Sequence, residues 1–231
     1  MRLLSARCNV IFPRMNPQKN TASCMPRQNQ ENKAKMILGV TGSFGSGKTT
    51  VAGMFKPYGA SVIDADALAH KCLKPASSAY ALILRTFGSG VLQRPGVIDR
   101  RKLAGLVFGS KTSLKKLNAI IHPLVIAEIR KKINSSRAKL IVLDAPLLVE
   151  ARANNLADKL IVVTLSRAEQ LRRLQKKNKI IKQEILQRIS AQIPLAKKVR
   201  IADFVIDNSG TKAQTKKQVE DVVISLALSE G

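Results

Sequence analysis

The sequence has few aromatic residues and no long hydrophobic run, and each shortage excludes a class of protein. Tyr, Phe and Trp together make up 3% of the 231 residues, and Trp is absent. A core must therefore rest on Leu, Ile, Val and Ala. The same shortage disfavours binding of single-stranded nucleic acid, in which bases stack on aromatic rings. No apolar run reaches the roughly 18 residues of a membrane span, so we expect a soluble protein with no membrane partner.

Cysteine is scarce as well. The three cysteines are Cys8, Cys24 and Cys72, and no two of them form a CxxC pair. Their spacing does not match the disulfide framework of a small secreted domain. A reducing compartment is the simplest context for them, so the sequence predicts a cytoplasmic protein.

Acidic residues are few: Asp and Glu number 15 against 40 Lys and Arg, which gives a formal charge of +25. The excess is not confined to one end, because residues 1–35 hold only seven of the basic side chains. Such a charge attracts polyanions, among them nucleotides, phosphate-rich substrates and nucleic acid, although general solubility is the simpler explanation. We do not expect nucleic acid as a partner, because no further helicase motif accompanies the basic residues.

Residues 1–35 differ in composition from the rest of the chain. They are rich in Asn, Gln, Arg and Pro, and Glu31 is their only acidic residue. No hydrophobic period is sustained there, so we expect a disordered basic extension that the chemistry does not need. A targeting segment is one alternative. A start site placed too far upstream is another, because Met36 directly precedes the first predicted strand.

From Met36 onward, short runs of apolar and β-branched residues alternate with helical patterns. Such runs predict strands that are buried on both faces, as in a parallel sheet covered by helices. The sequence thus predicts an α/β fold of three layers around a five-stranded parallel sheet. The predicted strands are 36–40, 61–64, 140–144, 160–164 and 204–207.

A long stretch between the second and third strands carries no strand signal. It covers roughly residues 65–139 and shows helical patterns around 78–87, 99–108 and 113–134. A crossover between parallel strands needs only about a dozen residues, so the excess predicts an inserted helical subdomain. A second helical pair, 168–178 and 181–192, is dense in Lys, Arg and Gln.

The clearest motif is Gly42-Ser-Phe-Gly-Ser-Gly-Lys-Thr49, which fits the pattern G-x4-G-K-[ST] of a phosphate-binding loop. It follows the first predicted strand and opens a predicted helix over 49–56. Glycines let backbone N–H groups wrap around a phosphate, Lys48 adds a point charge, and Thr49 offers a hydroxyl to Mg²⁺. The candidate ATP-binding residues here are Gly42, Gly45, Ser46, Gly47, Lys48, Thr49 and Thr50.

Carboxylates lie at the ends of two predicted strands. The second strand ends at Asp64, and Asp66 follows two residues later. Ligands bind at the carboxyl edge of such a sheet, so we expect both carboxylates near the phosphates held by the loop after a neighbouring first strand. We interpret Asp64 as the helix cap and Asp66 as a base for an acceptor hydroxyl. Asp144 ends the third strand, and both a Mg²⁺-organising role and a structural role stay open for it.

Several further stretches, together with the loop, resemble the dephospho-CoA kinase family. They follow the family's order over nearly all of residues 36–231, and the Asp-Ala-Asp, His-Pro and Asp-Asn-Ser-Gly stretches are the most diagnostic. The matching stretches are 39–50, 59–66, 98–103, 117–123, 146–150, 188–192 and 202–210. The resemblance implies a Mg²⁺-dependent kinase that transfers the ATP γ-phosphoryl group to the ribose 3′-hydroxyl of dephospho-CoA.

The resemblance also implies how the domain at 36–231 is divided. A P-loop kinase core would comprise 36–66, 138–167 and 193–231. A CoA-binding insertion would comprise 67–137, and a small helical lid would comprise 168–192.

The resemblance assigns roles to single residues. It makes Asp66 the catalytic base, and Lys48, which acts on the ATP phosphates, is the second catalytic residue. Asp64, Arg100 and His122 would lie on the acceptor side, although a His before Pro is as often a packing feature. Asn208 would lie in the loop on the adenine side of ATP.

The lid motif departs from the family at one position. The family has Gln-x-x-Arg-Leu-x-x-Arg, whereas this chain keeps Arg173 but has Lys177 in place of the second arginine. A guanidinium bridges two phosphate oxygens and a lysine cannot, so we expect activity to survive with slower turnover or a weaker grip on the nucleotide.

Three alternatives stay open from the sequence. A nucleoside or nucleotide kinase would share the same core. A nucleic-acid-binding module would use the loop as a switch, and a degenerate family member would bind CoA without catalysis. The oligomeric state is not predicted.

Overall fold

A five-stranded sheet carries the fold, in the order β2-β5-β1-β6-β7. This is a computed structural model, and it describes residues 35–146, 148–149, 154–178, 189 and 192–228. The strands of the sheet are β1 (Met36–Gly42), β2 (Ser61–Asp64), β5 (Leu140–Asp144), β6 (Lys159–Thr164) and β7 (Phe204–Asp207). The five predicted strands and the α/β class are therefore confirmed. Residues 1–34, most of the predicted helix 181–192, and Glu150 and Arg188 of the family motifs lie outside the described residues.

Strand β1 is the centre of the sheet. It pairs in parallel with β5 on one side and with β6 on the other, and β6 pairs in parallel with β7. The expectation that the second strand neighbours the first is wrong, because β5 lies between β2 and β1. The order of strands in a parallel sheet is set by the crossovers rather than by position along the chain.

Helices alternate with the strands of the sheet along the chain. The helices of the described residues are α1 (Lys48–Gly53), α2 (Ala65–Lys71), α3 (Ser78–Phe87), α4 (Arg100–Phe108), α5 (Lys111–Ser135), α6 (Arg167–Asn178), α7 (Leu195–Arg200) and α8 (Lys212–Leu228). Short 3₁₀ turns span Lys56–Tyr58, Ser89–Val91 and Asn154–Leu156. Within the described part of the chain, none of the helices combines the length and the apolar character that crossing a membrane requires.

The apolar core of the sheet lies where α1 and α8 pack. Phe55 after α1 and Val219 in α8 are fully buried against strand residues such as Val40 and Ile161. The predicted helix 49–56 corresponds to α1, which ends earlier, at Gly53. The 3₁₀ turn Lys56–Tyr58 follows it, and Pro57 and Gly59 prevent a longer helix. Because β1 and α1 both pack in this core, the two ends of the loop that connects them are held in place.

The chain divides into two compact units. One unit holds the described residues up to Val62 and from Ala138 onward, and the other is Ile63–Arg137. Helices α2 to α5 form the second unit, and its own core contains Cys72, Ala79, Ile83, Val91, Ile98, Leu103 and Val107. The boundaries of a CoA-binding insertion and of a lid stay predictions.

The second unit contains a hairpin that the sequence did not predict. Strand β3 (Leu92–Arg94) pairs antiparallel with β4 (Val97–Ile98). The turn between them contains Gly96 at φ +79°. The expectation that no strand lies in this stretch is therefore wrong. Strands of three and two residues are too short to show a two-residue period.

Candidate active site

The phosphate loop, residues 42–49, connects β1 to α1 as its motif requires. Gly45 and Gly47 have φ of +76° and +87°, which side chains rarely tolerate. A Cβ at Gly45 would lie 2.7 Å from the Leu174 side chain of α6, and a Cβ at Gly47 would collide with the amide of Asn208. Glycine is therefore required at both positions, because of the backbone conformation and because a neighbouring side chain lies so close.

Lys48 is the first residue of α1 and is 8% exposed. Its ammonium group donates a hydrogen bond to the Ser43 carbonyl, 3.0 Å away. The hydroxyl of Ser46 is buried and has no hydrogen-bond partner within the described part of the chain. A buried hydroxyl of this kind suits a ligand oxygen, because leaving such a group unsatisfied is costly.

The side chain of Asn208 supports the backbone of the loop. Its Nδ2 donates to the Ser46 carbonyl at 2.9 Å, and its Oδ1 accepts from the Thr215 hydroxyl at 3.0 Å. The side chain is buried, and both ends of its amide contact protein. The structure thus places Asn208 against the loop backbone, and its predicted contact with ATP stays a prediction.

Thr49 and Asp144 are the predicted metal ligands of this unit. Thr49 is exposed in the first turn of α1, and Asp144 is 2% exposed at the end of β5, where it is paired in register with Val40 of β1. Both supply oxygen, and Mg²⁺ prefers oxygen from one or two side chains together with substrate phosphates. The residues present therefore fit a Mg²⁺ ion.

A buried lysine that sequence reasoning did not single out holds the turn after Asp144. Lys198 of α7 is fully buried, and its ammonium donates to the Pro146 carbonyl at 3.2 Å. The Thr41 hydroxyl donates to the same carbonyl at 3.0 Å. Only tertiary contacts reveal this role, because Lys198 lies in an ordinary basic stretch of the sequence.

Helix α6 contains the arginine predicted for the lid. Glu169 accepts hydrogen bonds from Arg172 at 2.7 Å and from Arg173 at 2.6 Å. These two arginines lower the pKa of Glu169 to about 2. Arg173 is thus paired on its own helix, and Lys177 lies in α6 with a side chain outside the described residues.

Two glutamines that the sequence did not mark as site residues contact the loop. Gln170 of α6 donates to the Ser43 hydroxyl and to the Phe44 carbonyl. Gln192 accepts from the Phe44 N–H. They lie 127 and 148 residues from their loop partners, so no local pattern reveals these contacts.

A pocket of about 410 Å³ lies at the carboxyl ends of β6 and β7. Asp207 and Ser209, which flank Asn208, contribute to its wall. The Ser209 hydroxyl accepts from the Ser166 N–H at 2.9 Å, which joins the segments that follow the two strands. The full lining is Thr164, Leu165, Ser166, Val199, Val205, Asp207 and Ser209.

The acceptor-side candidates lie in the second unit. Asp64 caps α2 by accepting from the Ala67 N–H at 2.9 Å, as its interpretation as a helix cap requires, and Asp66 is exposed in the first turn. Arg100 contacts the Nε2 atom of His70, a residue the sequence analysis did not mark, at 2.6 Å.

His122 lies in the middle of α5, directly before Pro123. Its side chain is half-buried, and burial lowers the pKa of its imidazole. A histidine with a lowered pKa is neutral near pH 7, so it offers a hydrogen bond rather than a positive charge. Its predicted contact with the acceptor stays a prediction.

A phosphate loop between the central parallel strand and a helix is typical of P-loop nucleotide-binding proteins. Within that class, the family model for dephospho-CoA kinase matches residues 36–214, which is more than half of the chain. The chain therefore belongs to the dephospho-CoA kinase family, and the predicted family is confirmed.

Curated relatives agree with this assignment. A dephospho-CoA kinase from Carboxydothermus hydrogenoformans is 46% identical over 186 residues, which cover 79% of this chain and 90% of that protein. A dephospho-CoA kinase from Geobacillus kaustophilus is 43% identical over 188 residues, which cover 80% of this chain and 93% of that protein.

Solved structures share the fold. The crystal structure of TT1252 from Thermus thermophilus superposes with a TM-score of 0.76 at 32% identity and covers 84% of this chain and 98% of that one. A dephospho-CoA kinase from Campylobacter jejuni gives a TM-score of 0.61 at 27% identity, with the same coverage of both chains.

Proposed function

We infer that this chain is a dephospho-CoA kinase, which transfers the γ-phosphoryl group of ATP to the ribose 3′-hydroxyl of dephospho-CoA and gives coenzyme A. The family match over residues 36–214 carries this conclusion. The complete phosphate loop, with Lys48 held over it, supplies the nucleotide-binding half of the reaction.

The loop binds the phosphates of ATP in this proposal. Backbone N–H groups at the start of α1 point toward an anion, and the helix dipole adds positive potential. Lys48 attracts the β- and γ-phosphates, and the buried Ser46 hydroxyl offers a further partner. Phosphoryl transfer needs positioning and charge stabilisation more than covalent chemistry, so these groups supply much of the catalysis.

Mg²⁺ is the proposed cofactor, held by Thr49 and Asp144 together with the phosphates. When bound, the ion offsets negative charge on the phosphate oxygens. Asp144 is buried on β5 next to the central strand, and Lys198 and Thr41 hold the turn that follows it. These contacts fix the backbone directly after Asp144.

Asp66 is the proposed base that accepts the proton of the 3′-hydroxyl. Its exposed position in the first turn of α2 leaves the carboxylate accessible, while Asp64 caps the helix. Arg100 and His122, with Asp64, are the proposed contacts to dephospho-CoA. In this proposal, residues 67–137 form the CoA-binding unit.

The remaining contacts concern the two ends of ATP. We place the adenine end toward Asn208, whose neighbours Asp207 and Ser209 line the pocket at the ends of β6 and β7. Arg173 and Lys177 belong to the proposed lid, 168–192, and would face the phosphates when the lid closes. Arg173 would then exchange its Glu169 partner for phosphate oxygen.

The proposed compartment is the cytoplasm.

The experiment that tests the function is an acceptor assay with product identification. Purified protein, ATP and Mg²⁺ are mixed with dephospho-CoA, and the product is analysed by mass spectrometry and by comparison with authentic coenzyme A. A product with the phosphate on the 3′-oxygen is expected, and the Lys48→Ala variant should form almost none. No coenzyme A, with turnover of a nucleoside or nucleotide instead, would overturn the assignment.

A further inference from the structure

Both polar groups of the Phe44 backbone are held by glutamine side chains from opposite ends of residues 168–192. The Phe44 N–H donates to Oε1 of Gln192 at 2.8 Å, and Nε2 of Gln170 donates to the Phe44 carbonyl at 2.5 Å. Gln170 also donates to the Ser43 hydroxyl at 2.9 Å. We call Gln170 and Gln192 the glutamine clamp.

The clamp has a fixed polarity. A backbone carbonyl only accepts and a backbone N–H only donates, so Gln170 must present its amide nitrogen and Gln192 its amide oxygen. The Oε1 atom of Gln170 is engaged as well, because it accepts from Arg167 at 3.2 Å. Gln170 is 4% exposed, so its hydrogen bonds are shielded from water.

Helix α6 also packs against the next residue of the loop. Leu174, one turn after Gln170, comes so close to Gly45 that a Cβ there would lie 2.7 Å from its side chain. The first turns of α6 therefore contact three consecutive loop residues, from Ser43 to Gly45. The contact between α6 and the loop therefore involves packing of Leu174 as well as the hydrogen bonds of Gln170.

The clamp reaches Lys48 through one residue. The Lys48 ammonium donates to the Ser43 carbonyl at 3.0 Å, while Gln170 holds the hydroxyl of the same serine. A shift of residues 43–44 would therefore move an acceptor that orients the Lys48 ammonium. A displacement of about 1 Å in a phosphate-binding group is enough to change the rate strongly.

We propose that Gln170 and Gln192 are positioning residues that tie both ends of the proposed lid to the phosphate loop and thereby orient Lys48. The proposal rests on the proposed kinase function, because Lys48 acts there on the γ-phosphate. The clamp makes the loop conformation depend on Gln170 and Gln192, which lie at the two ends of residues 168–192.

The polarity of the clamp gives a discriminating test, because Glu is nearly the same shape as Gln but only accepts when ionised. Gln192→Glu keeps the acceptor that Phe44 needs, whereas Gln170→Glu removes a donor and places a carboxylate against the Phe44 carbonyl. We expect Gln170→Glu to lower kcat on the order of ten- to a hundredfold and to weaken ATP binding. Gln192→Glu should lose much less activity than Gln170→Glu, because it keeps the acceptor, while Gln192→Leu, which has no acceptor, should be impaired.

A matched control separates the clamp from the added charge. Gln175 lies on the same helix and is exposed, so Gln175→Glu adds the same charge without touching the loop. Its kcat should fall far less than that of Gln170→Glu, because Gln175 belongs to the proposed lid but does not contact the loop. In a Lys48→Ala background, Gln170→Glu should cause little further loss of ATP affinity, because the clamp acts through Lys48.

The readouts are coenzyme A formation, ATP affinity by titration, and thermal unfolding. Equal effects of Glu at 170 and 192, or a Gln170→Glu enzyme with wild-type kcat and ATP affinity, would overturn the clamp. If the wild type forms no coenzyme A, the proposed function fails. The clamp is then judged by ATP affinity alone, which Gln170→Glu should weaken much more than Gln192→Glu.

Discussion

Single side chains around the phosphate loop act mainly by holding its backbone. The Asn208 amide takes the space beside Gly47 and donates to the Ser46 carbonyl, and Thr215 holds the other end of that amide. The loop is thus supported from β7 and α8 before any contact with phosphate is considered. Its conformation depends on residues far away in the sequence as well as on its own glycines.

The first residue-scale prediction concerns Asn208. In Asn208→Ala, the Ser46 carbonyl loses a buried donor, so the free energy of unfolding should fall by about 1–3 kcal/mol and ATP should bind more weakly. Urea unfolding and nucleotide titration measure the two effects. Asn155→Ala serves as the control, because Asn155 is exposed. Unchanged stability and affinity in Asn208→Ala would show that the hydrogen bond from Asn208 to the Ser46 carbonyl is dispensable.

The second residue-scale prediction concerns Asp66. Asp66→Asn removes the proposed base and keeps the shape, so kcat should fall on the order of 10²- to 10⁴-fold. The affinity for ATP should stay the same, because the proposed nucleotide contacts lie on the phosphate loop. Asp221→Asn on α8 is the control for loss of a surface carboxylate. A wild-type kcat in Asp66→Asn would mean that another group accepts the proton.

Helix α6 combines three roles in twelve residues. It contacts the loop through Gln170 and Leu174, pairs Glu169 with two arginines, and contains Lys177. The ion pairs hold Arg173 on its own helix. The helix therefore contains both contacts that position the loop and cations that the proposed lid would bring to ATP.

The first element-scale prediction concerns pH. Glu169 has a folded-state pKa of about 2, below its ordinary value of 4.5. Its ion pairs therefore stabilise the fold above about pH 4.5, and this contribution is lost as the pH falls toward 2. Glu169→Gln should unfold at a lower temperature than wild type at pH 7, and the difference should shrink between pH 4.5 and 2. A difference that grows on acidification would contradict this account.

The second element-scale prediction concerns Lys177. Lys177→Arg restores the guanidinium that the family has at this position, which can bridge two phosphate oxygens. We expect kcat/KM for ATP to rise a few-fold, roughly the gain of one charge-assisted hydrogen bond shared with solvent. Steady-state kinetics measure it, with Lys216→Arg on α8 as the control. No change would place Lys177 away from the phosphates.

At the scale of the whole molecule, the sequence predicted the sheet well. Buried strands in a parallel sheet are short continuous runs of Val, Ile and Leu, and β5 and β7 match their predictions at both ends. The loop motif predicted the connection between β1 and α1, and the family motifs predicted the family. These features are encoded locally, within about a dozen residues.

The parts that the sequence did not predict depend on distant contacts. The position of β5 between β1 and β2 follows from crossovers, and the β3–β4 hairpin is too short to give a periodic signal. Gln170 belongs to the lid motif and Gln192 to a family stretch, but the sequence reveals no contact for either, and Lys198 lies in an ordinary basic stretch. Their roles appear only when segments more than 50 residues apart meet around the loop and the turn after Asp144.

The most direct test of the central claim is the relative kcat/KM of the purified chain for dephospho-CoA and for a panel of nucleosides and nucleotides, with ATP and Mg²⁺ present. The account predicts that dephospho-CoA is preferred by orders of magnitude, that the product is coenzyme A, and that Lys48→Ala abolishes the preference by abolishing turnover. A nucleoside or nucleotide phosphorylated faster than dephospho-CoA would contradict it.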